Sequence, residues 1–250
     1  MTDHNTCKWL AATAAIVPGG SMAQQHARPN IMIVMVDDMG YSDPECFGGE
    51  VHTPNLNSLA EEGMRFTQCF NCGRSCPSRG SMLTGLYAQQ CGITGMGVSL
   101  NRECVTIAEV LKAAGYNTAM SGKWHLSLTR SYQGNNGSQE QLRWLSHQDN
   151  LGGIPFSPLD TYPCNRGFDE HWGTIWGVCN HFDPFSLVHN EQAIYEDSIP
   201  QDFYSSDFVT QKATEMLDTL TAKAEPFFLY VAYNAPQWPL HAKVCYIEKY

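Results

Sequence analysis

RPNIMIVMVDDMG, residues 28–40, is the stretch from which we derive the architecture of this chain. Residues 30–36 are almost wholly apolar and partly β-branched, which predicts a strand buried on both faces of a parallel sheet. The run ends abruptly at Asp37 and Asp38. Open α/β sheets bind their ligands beyond the carboxyl ends of their strands, so we expect a ligand site here, with a solvated turn as the alternative.

Two later runs have the same character. Tyr116–Ser121 leads into the polar stretch GKWH, residues 122–125, and Phe227–Tyr233 leads into NAPQ, residues 234–237. Three predicted strands therefore each end in a loop that carries reactive or polar side chains.

Helices are indicated between these strands. Thr53 followed by Pro54 is an N-cap with proline at the first helical position, and Thr106 with Glu109 forms a capping box. Apolar residues at helical spacing between positions 208 and 220 predict an amphipathic helix. Alternating strands and helices are typical of an α/β fold with a mainly parallel sheet flanked by helices.

Length and charge exclude several classes of protein. The 250 residues can form one large domain, and no run approaches the roughly 20 apolar residues that a membrane span needs. A net charge of −10 argues against binding to nucleic acid, which normally requires a basic surface.

The first 27 residues differ from the rest of the chain. An apolar run, Trp9–Val17, follows Lys8, and Ser21-Met22-Ala23 has the small-x-small pattern of a signal-peptidase site. Residues 1–27 are therefore interpreted as a secretory signal peptide, with a disordered tail as the alternative. A signal peptide would place the protein in the periplasm or outside the cell, where disulfides are permitted, with buried thiols as the alternative for most of its cysteines.

The stretch GRSCPSRGSMLTG, residues 73–85, resembles the signature of the sulfatase family. That signature is a cysteine or serine followed by x-Pro-x-Arg and then by Leu-Thr-Gly, and its spacing identifies Ser75 as the first residue. In the family this residue is oxidised to formylglycine, whose hydrated aldehyde is the nucleophile. The resemblance implies a serine-type sulfatase, matured by a formylglycine-generating radical enzyme that accepts serine.

The resemblance also implies a metal site. Residues 28–41 look like the opening strand of the family, whose two aspartates bind calcium. Asp37, Asp38 and the group derived from Ser75 would then be calcium ligands, which suits a cation that prefers oxygen.

The segment GYNTAMSGKWHL, residues 115–126, matches the second family signature. By this resemblance Lys123 binds sulfate oxygens, and His125 positions or deprotonates the diol. Arg79, one helical turn after Ser75, would hold the diol and the metal-bound oxygens as a second cation of the anion site.

Later segments continue the likeness as far as Tyr250, and His181 is a candidate for lining the substrate pocket, with a hydrogen-bonded loop histidine as the alternative. One departure concerns Gln237, because the family usually carries there a histidine that protonates the leaving oxygen. Glutamine can donate a hydrogen bond to sulfate but cannot deliver a proton. His241 follows four positions later as a candidate substitute.

Family members continue for a long stretch beyond the equivalent of Tyr250, so residues 28–250 are expected to be an incomplete catalytic domain, truncated at the C-terminus, with an exposed sheet edge. The fold implied is alkaline-phosphatase-like. The leading hypothesis is a calcium-dependent, arylsulfatase-like sulfuric ester hydrolase that acts on small sulfate esters or sulfated carbohydrates. The alternatives are a phosphoester or phosphonate hydrolase with the same nucleophile, and a truncated, non-catalytic relative.

Overall fold

The protein, seen in a computed structural model, is described over residues 28–129, 155–194 and 198–249. The residues interpreted as a signal peptide, 1–27, lie outside these ranges. The strands are β1 (Ile31–Asp37), β2 (Asn117–Gly122), β3 (Glu170–Thr174), β4 (Leu187–His189), β5 (Gln192–Ala193) and β6 (Phe227–Pro236). The helices are α1 (Pro54–Glu62), α2 (Ser75–Thr84), α3 (Ile107–Ala113), α4 (Ser205–Thr221) and α5 (Val244–Ile247).

The strands form one sheet in the order β1-β6-β2-β3-β4-β5. The first four of these strands are mutually parallel, and β4 and β5 continue the sheet in antiparallel pairing. The predicted α/β fold with a mainly parallel sheet is therefore confirmed. Since parallel strands end at the same edge, the residues that follow β1, β2 and β6 meet there.

Helices cover both faces of the sheet. α2 and α3 pack over one face in a core that contains Met120, Phe228 and Tyr230. On the other face, α4 buries Val209 and Met216 against the sheet, among other residues, as expected of an amphipathic helix. The predicted capping box of α3 is also confirmed, because the side chains of Thr106 and Glu109 each accept a hydrogen bond from the main-chain N–H of the other residue.

β1 departs from its prediction. In the described sheet it lies at the edge and pairs with β6 alone. Ile31, Ile33 and Met35 pack into the core under α2 and α3, whereas Met32 and Val34 on the opposite face are 46% and 60% exposed. The expectation of burial on both faces is wrong for this part of the chain, because burial depends on a neighbouring element that an apolar run cannot reveal.

α1 begins at Pro54 as predicted, but it buries none of its residues. Met64, two residues beyond its end, is exposed. The cysteines in the described ranges are all free thiols. Within those ranges, no helix has the length and apolar character required to cross a membrane.

Candidate active site

Ser75 is the first residue of α2 and lies at the carboxyl edge of the sheet. Arg74, in extended conformation, is the N-cap that turns the chain into the helix. The Ser75 hydroxyl donates to Asp37 Oδ2 at 2.9 Å and accepts from Arg79 Nε at 3.1 Å. His125 Nδ1 lies 3.1 Å from the same oxygen. The structure thus brings Ser75 into direct contact with three of the residues singled out in the sequence.

Arg79 is buried one turn into α2 and bonds to the end of β1, to the residue after β2 and to the middle of β6. Its Nη2 donates to Asp37 Oδ2 at 3.0 Å, and its Nη1 donates to the Lys123 carbonyl at 3.0 Å and to the Tyr230 hydroxyl at 3.1 Å. Because most of its five N–H groups are used within the protein, the main effect of Arg79 is to fix Ser75 and Asp37.

The two aspartates after β1 occupy different environments. Asp37 is buried, and its Oδ2 accepts hydrogen bonds from Ser75, Arg79 and Lys123. Burial by itself raises the pKa of Asp37, but the charges of Arg79 and then Lys123 outweigh it and hold the pKa below its usual value. Asp38 is exposed and has a left-handed backbone, with φ of 58°.

Lys123 follows directly after β2 and is fully buried. Its ammonium pairs with Asp37, and Nζ also donates to Gln237 Oε1 at 2.6 Å. Burial, and then repulsion from Arg79, lower the pKa of Lys123 to about 8. The site therefore holds a compact cation whose charge depends on pH within the physiological range.

His125 has a left-handed backbone with φ of 59°, which is rare for a residue other than glycine and is typical of functional sites. Burial, followed by repulsion from Lys123 and Arg79, lowers the pKa of its imidazole to about 3. The ring is therefore neutral near pH 7, with one ring nitrogen as a hydrogen-bond donor and the other as an acceptor. Gly177 packs against this ring, since a Cβ atom there would lie 2.1 Å from His125 Nε2.

Gln237 and His181 form the outer part of the cluster. Gln237 lies just beyond β6 and reaches the site through Lys123. His181 is 2% exposed, and its Nδ1 lies 3.1 Å from Ser205 Oγ. Burial and the nearby His241 lower the pKa of His181, while a hydrogen bond to the main chain of Gln237 raises it. The His241 ring centroid is 6.0 Å from that of His181, and we find no contact that joins His241 directly to Ser75 among the described residues.

A cavity of ≈150 Å³ opens beside Ser75. Asp37 and Asp38 line it, together with Asn71 and Arg74, two residues that sequence reasoning missed. Calcium takes about 6–8 oxygen ligands. In the described ranges no group of three or more acidic, histidine or cysteine side chains is placed to hold a metal ion. These residues therefore do not make up a calcium site by themselves.

Gly177 was also missed by the sequence reasoning. Its only signal is a second glycine in the stretch GTIWG, residues 173–177. Its contact with a ring that follows a different strand is visible only in the folded chain.

Comparison with known proteins gives a consistent result. An arylsulfatase of Klebsiella aerogenes is 34% identical over 260 residues, an alignment that covers 96% of this chain and 50% of the relative. The structure of Ps i-CgsB in complex with k-i-k-neocarrahexaose matches with a TM-score of 0.65 and 28% identity, over 86% of this chain and 47% of that one. The structure of BT4656 in complex with its substrate D-glucosamine-2-N,6-O-disulfate matches with a TM-score of 0.62 and 28% identity, over 84% and 35% of the two chains.

This chain therefore spans half the length of the Klebsiella relative. The solved neighbours confirm the α/β fold expected from the sequence. The family model described as Sulfatase matches residues 29–250, which is nearly all of the chain. On this evidence the chain belongs to the sulfatase family.

Proposed function

We propose that this chain is the catalytic part of a sulfuric ester hydrolase that uses a formylglycine derived from Ser75. One observation carries the proposal: the Ser75 hydroxyl, at the start of a helix, contacts Asp37, Arg79 and His125 at 2.9–3.1 Å. A helix N-terminus favours negative charge, and the buried cations Arg79 and Lys123 add to that preference. The arrangement suits an anionic group placed next to Ser75.

Each residue has a distinct task in this proposal. Formylglycine would supply a hydrated aldehyde whose hydroxyl attacks sulfur while the S–O bond to the departing alcohol breaks, and the second hydroxyl of the diol would expel sulfate as the aldehyde re-forms. His125, neutral near pH 7, positions or deprotonates the diol at position 75, whose oxygen lies next to its Nδ1. Arg79 holds Asp37 and the residue at position 75 in place through its hydrogen bonds. The ammonium of Lys123 binds the sulfate oxygens.

The proposed cofactor is calcium, with Asp37, Asp38 and the group at position 75 among its ligands. These residues lie around one cavity, but a full shell of about 6–8 oxygens needs donors in addition to them.

The proposed substrates are small sulfate esters, aryl sulfates above all, or sulfated carbohydrates. The complexes of two structural neighbours with a neocarrahexaose and with a glucosamine disulfate support the second group. A radical maturase of the serine type is the proposed partner, and export to the periplasm or beyond is the proposed location.

Gln237 favours a second candidate, a sulfatase relative that binds anions without turnover. Its amide cannot protonate a leaving oxygen, a contribution worth about 10²–10⁴-fold in rate. A phosphoester or phosphonate hydrolase with the same nucleophile is separated from both candidates by its substrates.

The test begins with peptide mass spectrometry across Ser75, on protein co-produced with a serine-type maturase. The proposal predicts a peptide lighter by two hydrogen atoms, and chelator-sensitive hydrolysis of 4-nitrophenyl sulfate that is lost in Ser75→Ala. A preference for 4-nitrophenyl phosphate would instead support a phosphoester hydrolase. An unmodified Ser75 without hydrolysis would support the non-catalytic relative.

A further inference from the structure

Arg74 differs from the other cations of the site because its charge is not used within the described protein. Arg79 donates through Nε, Nη1 and Nη2 to groups of the protein, and the ammonium of Lys123 is ion-paired. Arg74 lines the cavity beside Ser75 and is exposed, yet no acidic side chain in the described ranges forms an ion pair with its guanidinium. Its N–H groups are therefore available to a ligand.

The two carboxylates of the cavity leave the charge of Arg74 intact. Asp37 is paired with Arg79 and Lys123. Asp38 lines the same cavity but forms no ion pair with Arg74, although both residues are described. In the proposed function Asp38 is a ligand of the metal, so its charge is directed at a cation.

The main chain around Arg74 is fixed to α2. The Arg74 carbonyl accepts a hydrogen bond from the Ser78 N–H at 3.1 Å, and the Cys72 N–H donates to Ser78 Oγ at 3.2 Å. The side chain of Arg74 makes no capping hydrogen bond to the helix. The guanidinium is therefore carried by an anchored backbone and has no structural contact of its own to maintain in this part of the chain.

Asn71 provides a second donor on the same turn. The Gly73 N–H donates to Asn71 Oδ1 at 2.7 Å, which leaves the NH₂ group of that amide without a partner among the described residues. Asn71 lines the cavity together with Arg74. The turn that precedes Ser75 thus presents a guanidinium and an amide NH₂ group, and such donors bind anionic groups.

We propose that Arg74, together with Asn71, binds a second anionic group of the substrate, beside the sulfate ester that reacts at position 75. This inference rests on the proposed function and narrows its substrates to sulfate esters that carry a further sulfate or a carboxylate. A guanidinium suits both groups, because it donates two parallel hydrogen bonds to a pair of oxygens.

The size of the cavity fits this division of the substrate. Its ≈150 Å³ is well below the about 300–1,000 Å³ of pockets that enclose a whole small molecule. The reacting group therefore enters the cavity, while the rest of the substrate lies at its rim. Arg74 is placed at that rim, because it lines the cavity and is also exposed.

The test uses Arg74→Gln, which removes the charge, and Arg74→Lys, which keeps the charge but loses the paired hydrogen bonds. Arg102→Gln is the matched control, because it removes the same charge from an exposed arginine that does not line the cavity.

Two pairs of ligands differ in the second anionic group. D-glucosamine-2-N,6-O-disulfate is compared with N-acetyl-D-glucosamine-6-O-sulfate, and a 2-O-sulfated hexuronate is compared with its methyl ester. Affinity is measured by calorimetry on protein with unmodified Ser75, and kcat/KM is measured on matured protein.

We expect the wild-type protein to bind the doubly anionic member of at least one pair about tenfold more tightly, which is the contribution of a hydrogen bond to a charged group. Arg74→Gln should lose this preference, Arg74→Lys should keep part of it, and Arg102→Gln should behave like wild type. Added salt should weaken the preference, because the guanidinium is exposed. The pair that shows the preference identifies the second group as sulfate or carboxylate.

Equal wild-type affinity for both members of each pair, or a preference that survives in Arg74→Gln, would overturn the inference. Protein that binds the doubly anionic ligands through Arg74 but hydrolyses none of the esters after maturation would count against the proposed function alone.

Discussion

Replacing Gly177 by alanine should disable His125 while leaving the fold intact. The new Cβ would lie 2.1, 2.2 and 2.4 Å from three atoms of the His125 ring. Carbon contacts are normally about 3.5 Å or longer, so the ring or the main chain must move by roughly 1.3 Å. A ring displaced by that distance loses the 3.1 Å separation between His125 Nδ1 and Ser75 Oγ.

A misplacement of about 1 Å in a catalytic group can cost about 10²-fold in rate, so we expect kcat/KM for 4-nitrophenyl sulfate to fall at least that far. The strain of overpacking should lower stability by only about 1–3 kcal/mol. Gly95→Ala is the matched control, because a Cβ there would meet nothing within 4 Å.

The assay compares the two variants with wild type after maturation, together with their thermal melts. NMR titration of His125 adds a readout that needs no turnover. A ring displaced toward solvent should titrate above its pKa of about 3, closer to its usual value. Gly177→Ala with wild-type activity and an unshifted His125 titration would refute the idea that this glycine seats the ring.

Three further outcomes are expected. Gln237→His should raise kcat for an alkyl sulfate more than for 4-nitrophenyl sulfate, and the increase should be part of the about 10²–10⁴-fold that general acid catalysis provides. An equal effect on both esters would contradict a proton-donor role. His171 is fully buried, and burial lowers the pKa of its ring to about 4. A histidine in the unfolded chain has a pKa of about 6.5, so between these two values the unfolded chain binds more protons than the folded chain. Stability should therefore be complete above about pH 6.5 and fall by about 2 kcal/mol towards pH 5, and His171→Gln should flatten this slope in melts across that range, whereas an unchanged slope would refute it. Leu229→Ala should lower the free energy of unfolding in denaturant by about 2–5 kcal/mol, because Leu229 is fully buried under α4. The same change at Leu59, which is 69% exposed on α1, should have little effect. Equal losses in the two variants would contradict the described core.

The inner part of the site could be predicted because its residues follow strand ends in sequence. The apolar runs before Asp37 and Lys123 are long enough to identify, and parallel strands bring their carboxyl ends together. The start of α2 at Ser75 follows from the proline and the helical stretch behind it. These contacts are therefore encoded locally and need only the topology of the sheet.

The outer part depends on contacts between distant segments. The strands β3, β4 and β5 contain only 5, 3 and 2 residues. Such short segments become strands only by pairing with each other and with β2. Gly177 packs against the ring of His125, which follows a different strand, and His181 contacts Ser205 at the start of α4. None of these relations leaves a periodic pattern in the sequence.

The edge position of β1 bears on how this chain behaves in solution. On the side away from β6, its main-chain N–H and C=O groups have no strand partner among the described residues, and Met32 and Val34 stand exposed beside them. Such an edge is a template for pairing with another chain, and natural proteins often protect it with charged side chains. The edge of β1 is therefore the place in the described sheet where a further strand can pair, and a lysine introduced at position 32 or 34 should weaken such pairing.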